Sequence, residues 1–314
     1  GVPAITVNKM CGSGMEAIIL AHDMIRAGSA GIVVAGGLES MSNAPYLLLG
    51  ARSGYRMAHH EVYDHMFYDG LQDPFEGQLM GHYAQVTADK YGFSREEMDA
   101  FAIESVTRAQ RAVSEGTFAG EIAAVTIKTR RGETTVEVDE TPGTVSIEKI
   151  PTLRPAFAKD GTVTAATSSS ISDGAAAVLM MTADEADRRG LTPIARIVGH
   201  SVFAQEPAWF TTAPVFALKK LHETLGWTPD DVDLYEINEA FAVVTMAAMR
   251  DVGIGHDKVN VNGGACALGH PIGATGCRIS VTLLHELAAR GLQRGIATQC
   301  IGGGEATAVA YEIM

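Results

Sequence analysis

V-N-K-M-C-G-S-G-M-E, at residues 7–16, is the stretch from which the rest of the chain is read. A short apolar run at residues 4–7 predicts a strand. It leads into Cys11, a Gly-Ser-Gly turn, and an apolar helix that begins near Met15. A cysteine at such a strand-to-helix turn sits at the positive end of the helix macrodipole, which favours thiolate over thiol. That placement points to a nucleophile. The other reading of Cys11 is a small buried hydrophobe, since unpaired cysteines are among the most buried residues.

Working outward, residues 15–27 read as a helix, with Ala17, Ile18, Leu20, Ala21, Met24 and Ile25 spaced for burial and Arg26-Ala27-Gly28 closing it. An apolar strand at 32–35 runs into Gly36-Gly37-Leu38-Glu39. The far end of the chain repeats this grammar. N-G-G-A-C-A-L-G-H-P-I-G-A-T-G at 262–276 opens a helix at 278–290, followed by a strand at 296–300, Gly302-Gly303-Gly304-Glu305 and a closing strand at 307–313. Gly14 corresponds to Gly276, and the Gly36 to Glu39 run to the Gly302 to Glu305 run. An internal repeat of this kind predicts two duplicated halves packed about a pseudo-two-fold axis. Cys11 and His270 then occupy equivalent turns, and Cys300 ends the strand beside His270.

Between the repeats the pattern changes. Helices are expected at 78–91 and from the capping box Ser94-Arg95-Glu96-Glu97 to residue 115, then short β runs at 124–129 and 134–138. The basic turn between those runs, with Lys128, Arg130 and Arg131, reads as a solvated turn, a phosphate contact being the alternative. Residues 173–181 predict a buried strand and 182–190 a helix. The second half adds a helix at 215–225, a strand at 232–237 and a helix at 240–250. The expected division is 1–43 plus 172–193 as one α/β half, 44–171 as an inserted loop domain, and 194–314 as the other half.

Composition is compatible with this. Of 314 residues, 46% are hydrophobic and 34 are glycine, which suits an α/β chain whose strands end in tight turns. A net charge of −13 argues against a nucleic-acid surface, though a local basic patch could still hold an anionic ligand. Cys11, Cys266, Cys277 and Cys300 have neither C-x-x-C nor zinc spacing, which points to a reducing compartment and no structural metal. No apolar run approaches the roughly 20 residues of a membrane span.

His270, flanked by Gly269 and Pro271, is poorly placed to be a core histidine on a helix face and is a candidate functional group. Asn238 at a strand end reads either as the cap of the next helix or as a site residue. Cys300, before three glycines, reads either as a small buried residue or as part of an oxyanion-binding turn. Cys266 and Cys277 read as packing. The other nine histidines, among them His59, His60, His65 and His82, show no ligand spacing, so no metal is expected.

Four motifs now stand in order: N-K-M-C-G-S-G at 8–14, N-E-A-F at 238–241, G-H-P-I-G at 269–273 and C-I-G-G-G at 300–304, with L-R-P-A-F and G-T-V-T-A between them. Over essentially its whole length the chain resembles the thiolase family, specifically the acetyl-CoA acetyltransferases and related 3-ketoacyl-CoA thiolases. The resemblance implies a layered αβαβα arrangement of two duplicated halves with an inserted loop domain. It also implies a ping-pong acyltransfer, Claisen condensation or its reverse, through an acyl-cysteine. Cys11 is then the nucleophile, His270 its base, and Cys300 the acid/base that moves the proton on the acetyl methyl. Asn238 holds a water of one oxyanion hole, and the amides of Cys11 and Gly302 form the other.

Coenzyme A enters as thioester substrate, with no tightly bound cofactor, and Met80, Phe157, Ser169, Phe210 and Phe241 match the family's pantetheine contacts. Leu79 departs from the histidine of many short-chain members, and residues 142–149 lack the arginine that contacts the nucleotide in some. The resemblance further implies a homodimer or homotetramer, no nucleic-acid or membrane partner, and a cytoplasmic location, with an organellar targeting segment left open. Family members carry further strands before residue 1, so a longer natural protein is expected. Two competing readings follow: a decarboxylating ketoacyl synthase, which Asn238 in place of a second histidine disfavours, and a truncated, non-catalytic CoA- or partner-binding relative.

Overall fold

A computed structural model describes residues 1–130 and 132–314. Cys11 lies in one tight 3-10 turn, Met10–Gly12, that runs directly into α1 (Ser13–Arg26). Met10 adopts φ 50°, a left-handed backbone uncommon for a residue with a long side chain. The Ser13 hydroxyl secures this turn by accepting the Lys9 N–H and donating to the Met10 carbonyl. β1 (Ile32–Ser40) follows, five residues longer than the apolar run suggests because the two glycines and Leu38-Glu39-Ser40 continue the ladder.

The chain then leaves for residues 41–172. This excursion holds a small ribbon of β2 (Tyr46–Leu47) and β3 (Tyr63–Asp64), a π-helical turn at Met66–Leu71, α2 (Met80–Tyr91) and α3 (Arg95–Ser114). α3 starts on the expected capping box, Ser94 Oγ accepting from Glu97 N–H and the Glu97 carboxylate accepting from Ser94 N–H. A hairpin of β4 (Val125–Thr129) and β5 (Gly132–Val136) and the short α4 (Glu140–Thr144) complete it. Arg131, one of the three basic residues read in the sequence between the two β runs, lies outside the described residues.

β6 (Asp173–Met181) returns antiparallel to β1, with Gly36 opposite Ala177. After α5 (Ala183–Arg189) come β7 (Ala195–Ala204), α6 (Ala213–Leu225), β8 (Leu234–Ile237), α7 (Ala242–Val252), α8 (Ala265–Leu268), α9 (Thr275–Arg290), β9 (Arg294–Ile301) and β10 (Glu305–Ile313). The second sheet runs β7-β10-β9-β8, antiparallel except for the parallel β8–β9 pair.

α1 and α9 lie side by side between the β1–β6 ribbon and the four-stranded sheet. Met15 and Ile19 of α1 pack with Ile279, Leu283 and Leu287 of α9 on Val309 of β10. α6 and α7 cover the other face of the sheet through Leu218, Leu221 and Ala248 against Tyr235 and Ile237. The fold is duplicated. α1-β1-β6 matches α9-β9-β10, and where Gly302, Gly303 and Gly304 join β9 to β10 the first half inserts residues 41–172.

Two expectations differ from the structure. Residues 4–7 form no strand, and Val2 and Ile5 are exposed, because no described strand offers a ladder there. β6 is not buried on both faces. Its inner residues Ala176, Val178 and Met180 pack on Ile18, Ala21 and Cys277, whereas Val34, Leu38 and Leu179 on the outer face of the ribbon are exposed. β7 lies at the edge of the second sheet, paired with β10. Among the described residues, no helix is long and apolar enough to cross a membrane.

Candidate active site

A cavity of about 300 Å³ opens where the two duplicated turns meet the inserted domain, and Cys11, His270, Cys300 and Gly302 all line it. Met80, Phe157, Ser169, Phe210 and Phe241 line the same cavity. The π-helical turn adds Phe67 and Leu71 to an otherwise largely apolar wall, with Leu79 and Ile171 beside them.

Cys11 sits at the start of α1 with its sulfur against the backbone N–H of Gly302. The thiolate expected at a helix start is not the resting form. Burial pushes the Cys11 thiol up to about 11 and outweighs the lowering by the N–H groups of Gly302 and of Cys11 itself. Cys300, fully buried at the end of β9, is also pushed well above the ordinary thiol range, by burial first and then by the nearby Cys11.

His270 is held by a chain of hydrogen bonds that determines its tautomer. The Thr275 hydroxyl donates its single proton to the Pro271 carbonyl at 2.8 Å, so at 2.6 Å from His270 Nδ1 it accepts. Nδ1 therefore carries the proton. Nε2 is left as a buried lone pair with no protein partner. Burial, followed by the charge of Arg278, lowers the imidazole to about 3, so the ring is neutral at pH 7. The turn itself needs Gly269, whose φ is 90° and whose Cβ would collide with the Ser172 hydroxyl.

Asn238 does not cap the following helix, which begins at Ala242 with Phe241 at its N-cap position. Its backbone N–H bonds to the Thr298 carbonyl, and the residue is 1% exposed and does not itself line the cavity. Both the Asn238 Oδ1 and Nδ2 lack protein partners. A buried amide in that state is suited to an ordered water.

Ser169 bonds twice to the Ala240 carbonyl, through its N–H at 3.1 Å and its hydroxyl at 3.0 Å. Toward a ligand that hydroxyl can therefore act as acceptor. Ser170 takes the His270 N–H on its carbonyl, so residues 168–170 tie the Phe241 segment to the histidine turn. Lys128 is paired with Glu133, and neither it nor Arg130 lines the cavity. Cys266 and Cys277 are buried packing residues, as expected.

Two groups escaped the sequence reading. Thr275 reads as an ordinary helix-start residue, and only the fold brings its hydroxyl to the imidazole. Glu239, fully buried, accepts from Ser105 Oγ at 2.7 Å, Asn260 Nδ2 at 2.8 Å and the Cys266 N–H at 3.1 Å. It thus joins the Asn238 segment to the loop leading into His270. Its one signal in the sequence is an acidic residue directly after Asn238 in an apolar setting.

Family models for the thiolase N-terminal domain and the thiolase C-terminal domain match residues 1–184 and 191–313. An acetyl-CoA acetyltransferase of Chromobacterium violaceum is 49% identical over 99% of this chain and 80% of its own length. One from Pseudomonas aeruginosa is 48% identical over 98% of this chain and 79% of its own length. Among solved structures, the Bacillus anthracis acetyl-CoA acetyltransferase superposes with a TM-score of 0.95 at 42% identity, covering 98% of this chain and 78% of that one. Human mitochondrial 3-ketoacyl-CoA thiolase gives a TM-score of 0.95 at 39% identity, covering 99% and 79%.

Proposed function

This chain belongs to the thiolase family, and we propose that it carries out the acetyl-CoA acetyltransferase reaction with Cys11, His270, Cys300, Asn238 and Gly302 as its working groups. The observation that carries the assignment is the unpartnered Nε2 of a neutral His270 in the same cavity as two neutral thiols.

In the thiolytic direction the Cys11 thiol passes its proton to His270 Nε2 as sulfur attacks the 3-keto carbon of a 3-ketoacyl-CoA. Negative charge then develops on the keto oxygen. The backbone N–H groups of Cys11 and Gly302, directed at the sulfur in the resting state, are placed to receive that charge. Collapse breaks the C2–C3 bond and expels the carbanion of acetyl-CoA, which takes a proton from the Cys300 thiol. Stabilising that enolate oxygen is the role assigned to a water on Asn238 together with the protonated His270. Incoming CoA gives its thiol proton to Cys300 and attacks the acyl-Cys11; the Cys11 sulfur leaves and takes its proton back from His270, restoring both cysteines and the neutral imidazole. Condensation of two acetyl-CoA molecules is the same sequence reversed.

High resting thiol values suit this cycle. A neutral Cys300 is a proton donor from the outset, and Cys11 ionises only as His270 accepts its proton. For coenzyme A, the support is the line of Met80, Phe157, Phe210 and Phe241 along one cavity, with Ser169 as a polar acceptor. Assembly as a homodimer or homotetramer and a cytoplasmic location belong to the same proposal and rest on family likeness.

The test is thiolysis of acetoacetyl-CoA by free CoA, with mass spectrometry of the enzyme after exposure to acetyl-CoA. Expected are ping-pong kinetics, an acetyl group on Cys11, and loss of both in Cys11→Ser. Full turnover by Cys11→Ser, or acetylation at another residue only, overturns the assignment.

A further inference from the structure

Away from the cavity, α1 and β7 bring together three metal-ligating side chains, one of them from the other half of the duplicated fold. His22 Nδ1 lies 3.3 Å from Asp23 Oδ1, and His200 Nε2 lies 3.1 Å from the same oxygen. All three ligand positions fall within 4.8 Å of one another. The imidazoles are edge-to-face, with centroids 5.4 Å apart and planes at 86°.

We infer that His22, Asp23 and His200 form a binding site for a divalent first-row transition metal of the zinc class, bridging α1 of the first half to β7 of the second. With Zn–N and Zn–O bonds of about 2.0–2.2 Å, neighbouring ligand atoms of a tetrahedral site lie about 3.3 Å apart. The two His–Asp separations already have that spacing. Two imidazoles and one carboxylate suit zinc, nickel or copper rather than magnesium or calcium, which prefer all-oxygen shells.

The supporting elements are rigid. His22 and Asp23 stand on the third turn of a long helix, and His200 is fixed in the ladder opposite Val309 of β10. Side-chain exposures of 17% and 25% for the histidines and 55% for the aspartate leave the carboxylate side open to solvent, where a water can complete the coordination. Arg26, one turn along α1, opposes any loosely held cation, so the site selects for direct coordination over diffuse attraction. None of the three residues lines the catalytic cavity, so occupancy acts on the junction of the halves, not on the chemistry.

Without an ion, the same contacts serve as two hydrogen bonds to Asp23, and the experiment must separate the two situations. Metal-stripped full-length chain, carrying Cys11→Ser to keep the cavity thiol out of the measurement, is titrated with zinc chloride by calorimetry and by thermal unfolding. Cobalt(II) absorption serves as the probe of coordination geometry. Expected are one equivalent of bound zinc, a rise in Tm with zinc, and tetrahedral-type cobalt bands without a sulfur-to-metal transition. His22→Ala and His200→Ala should each weaken zinc binding at least tenfold and abolish the zinc-dependent rise. A Tm rise of equal size in both variants places the binding elsewhere and overturns the proposal. So does the absence of any zinc effect on the parent, even if the variants are less stable in chelator, because the contacts are then hydrogen bonds only.

Discussion

Gly14 and Gly276 pack reciprocally where α1 crosses α9: a Cβ on Gly14 would lie 2.9 Å from the Cys277 backbone nitrogen, and one on Gly276 would lie 2.5 Å from that of Met15. Each helix start thus meets the residue that follows the other's glycine, the contact a pseudo-two-fold axis produces. The carboxylates obey the same symmetry. Glu39 accepts the Gly273 N–H in the histidine turn at 3.0 Å, while Glu305 pairs with Lys9 beside the cysteine turn. Each half therefore holds in place the turn of the other half that carries Cys11 or His270. Replacing either glycine with alanine should destabilise the fold by about 1–3 kcal/mol or more, since no rotamer change removes a Cβ from a backbone atom. Urea unfolding of Gly14→Ala and Gly276→Ala measures this, with the larger loss expected for Gly276→Ala.

Thr275 is the acceptor that fixes the His270 tautomer. Thr275→Val keeps the shape and leaves a buried N–H unpaired, a loss of about 1–3 kcal/mol that should lower kcat on the order of 10- to 100-fold. KM for the CoA thioester should change little, and Thr275→Ser should restore most of the rate. Steady-state kinetics of the three proteins, with pH profiles, checks this.

Asn238 should separate function from stability. Its two orphaned polar atoms contribute nothing to protein-only hydrogen bonding, so Asn238→Ala should unfold at the same urea concentration as the parent or a higher one. If the amide holds a water that stabilises an oxyanion, kcat should fall on the order of 100-fold. Unfolding curves and turnover on the same preparation show whether the two diverge.

Acid should destabilise the protein through His270. The unfolded imidazole takes up a proton near pH 6.5, whereas the buried one does so only at about 3. Between those values the unfolded state binds more protons, so this group's contribution is full above pH 6.5 and is lost as pH falls toward 3. The amount is on the order of 4–5 kcal/mol. Urea unfolding from pH 7 to pH 4 should be steeper in pH for the parent than for His270→Asn.

Glu239 should matter to both stability and rate. Glu239→Gln turns one acceptor oxygen into a donor that faces either Asn260 Nδ2 or the Ser105 and Cys266 donors. A stability loss of about 1–3 kcal/mol and a lower kcat are expected, because the loops carrying Asn238 and His270 lose their common anchor. Ser105→Ala, which removes one donor and leaves the rest of the network, should show a smaller version of both.

Local signals and repetition were legible in the sequence alone. The Gly14 and Gly276 helix starts, the Ser94 capping box, the two glycine-rich strand ends and the motif residues Cys11, Asn238, His270 and Cys300 are written in residue type and spacing, because caps, turns and amphipathic faces depend on near neighbours. Tertiary structure decided what depends on partners distant in the chain. Residues 4–7 read as a short apolar strand but find no ladder, and β7 lies at the sheet edge beside β10. The Cys11 charge state depended on the same kind of information. A helix start favours the thiolate, but the low-dielectric cavity closed by the inserted domain disfavours it more strongly, and burial is a property of the assembled fold. The Thr275–His270 bond, the Glu239 network and the His22–Asp23–His200 cluster arise in the same way, from side chains whose distances are set only when the two halves pack.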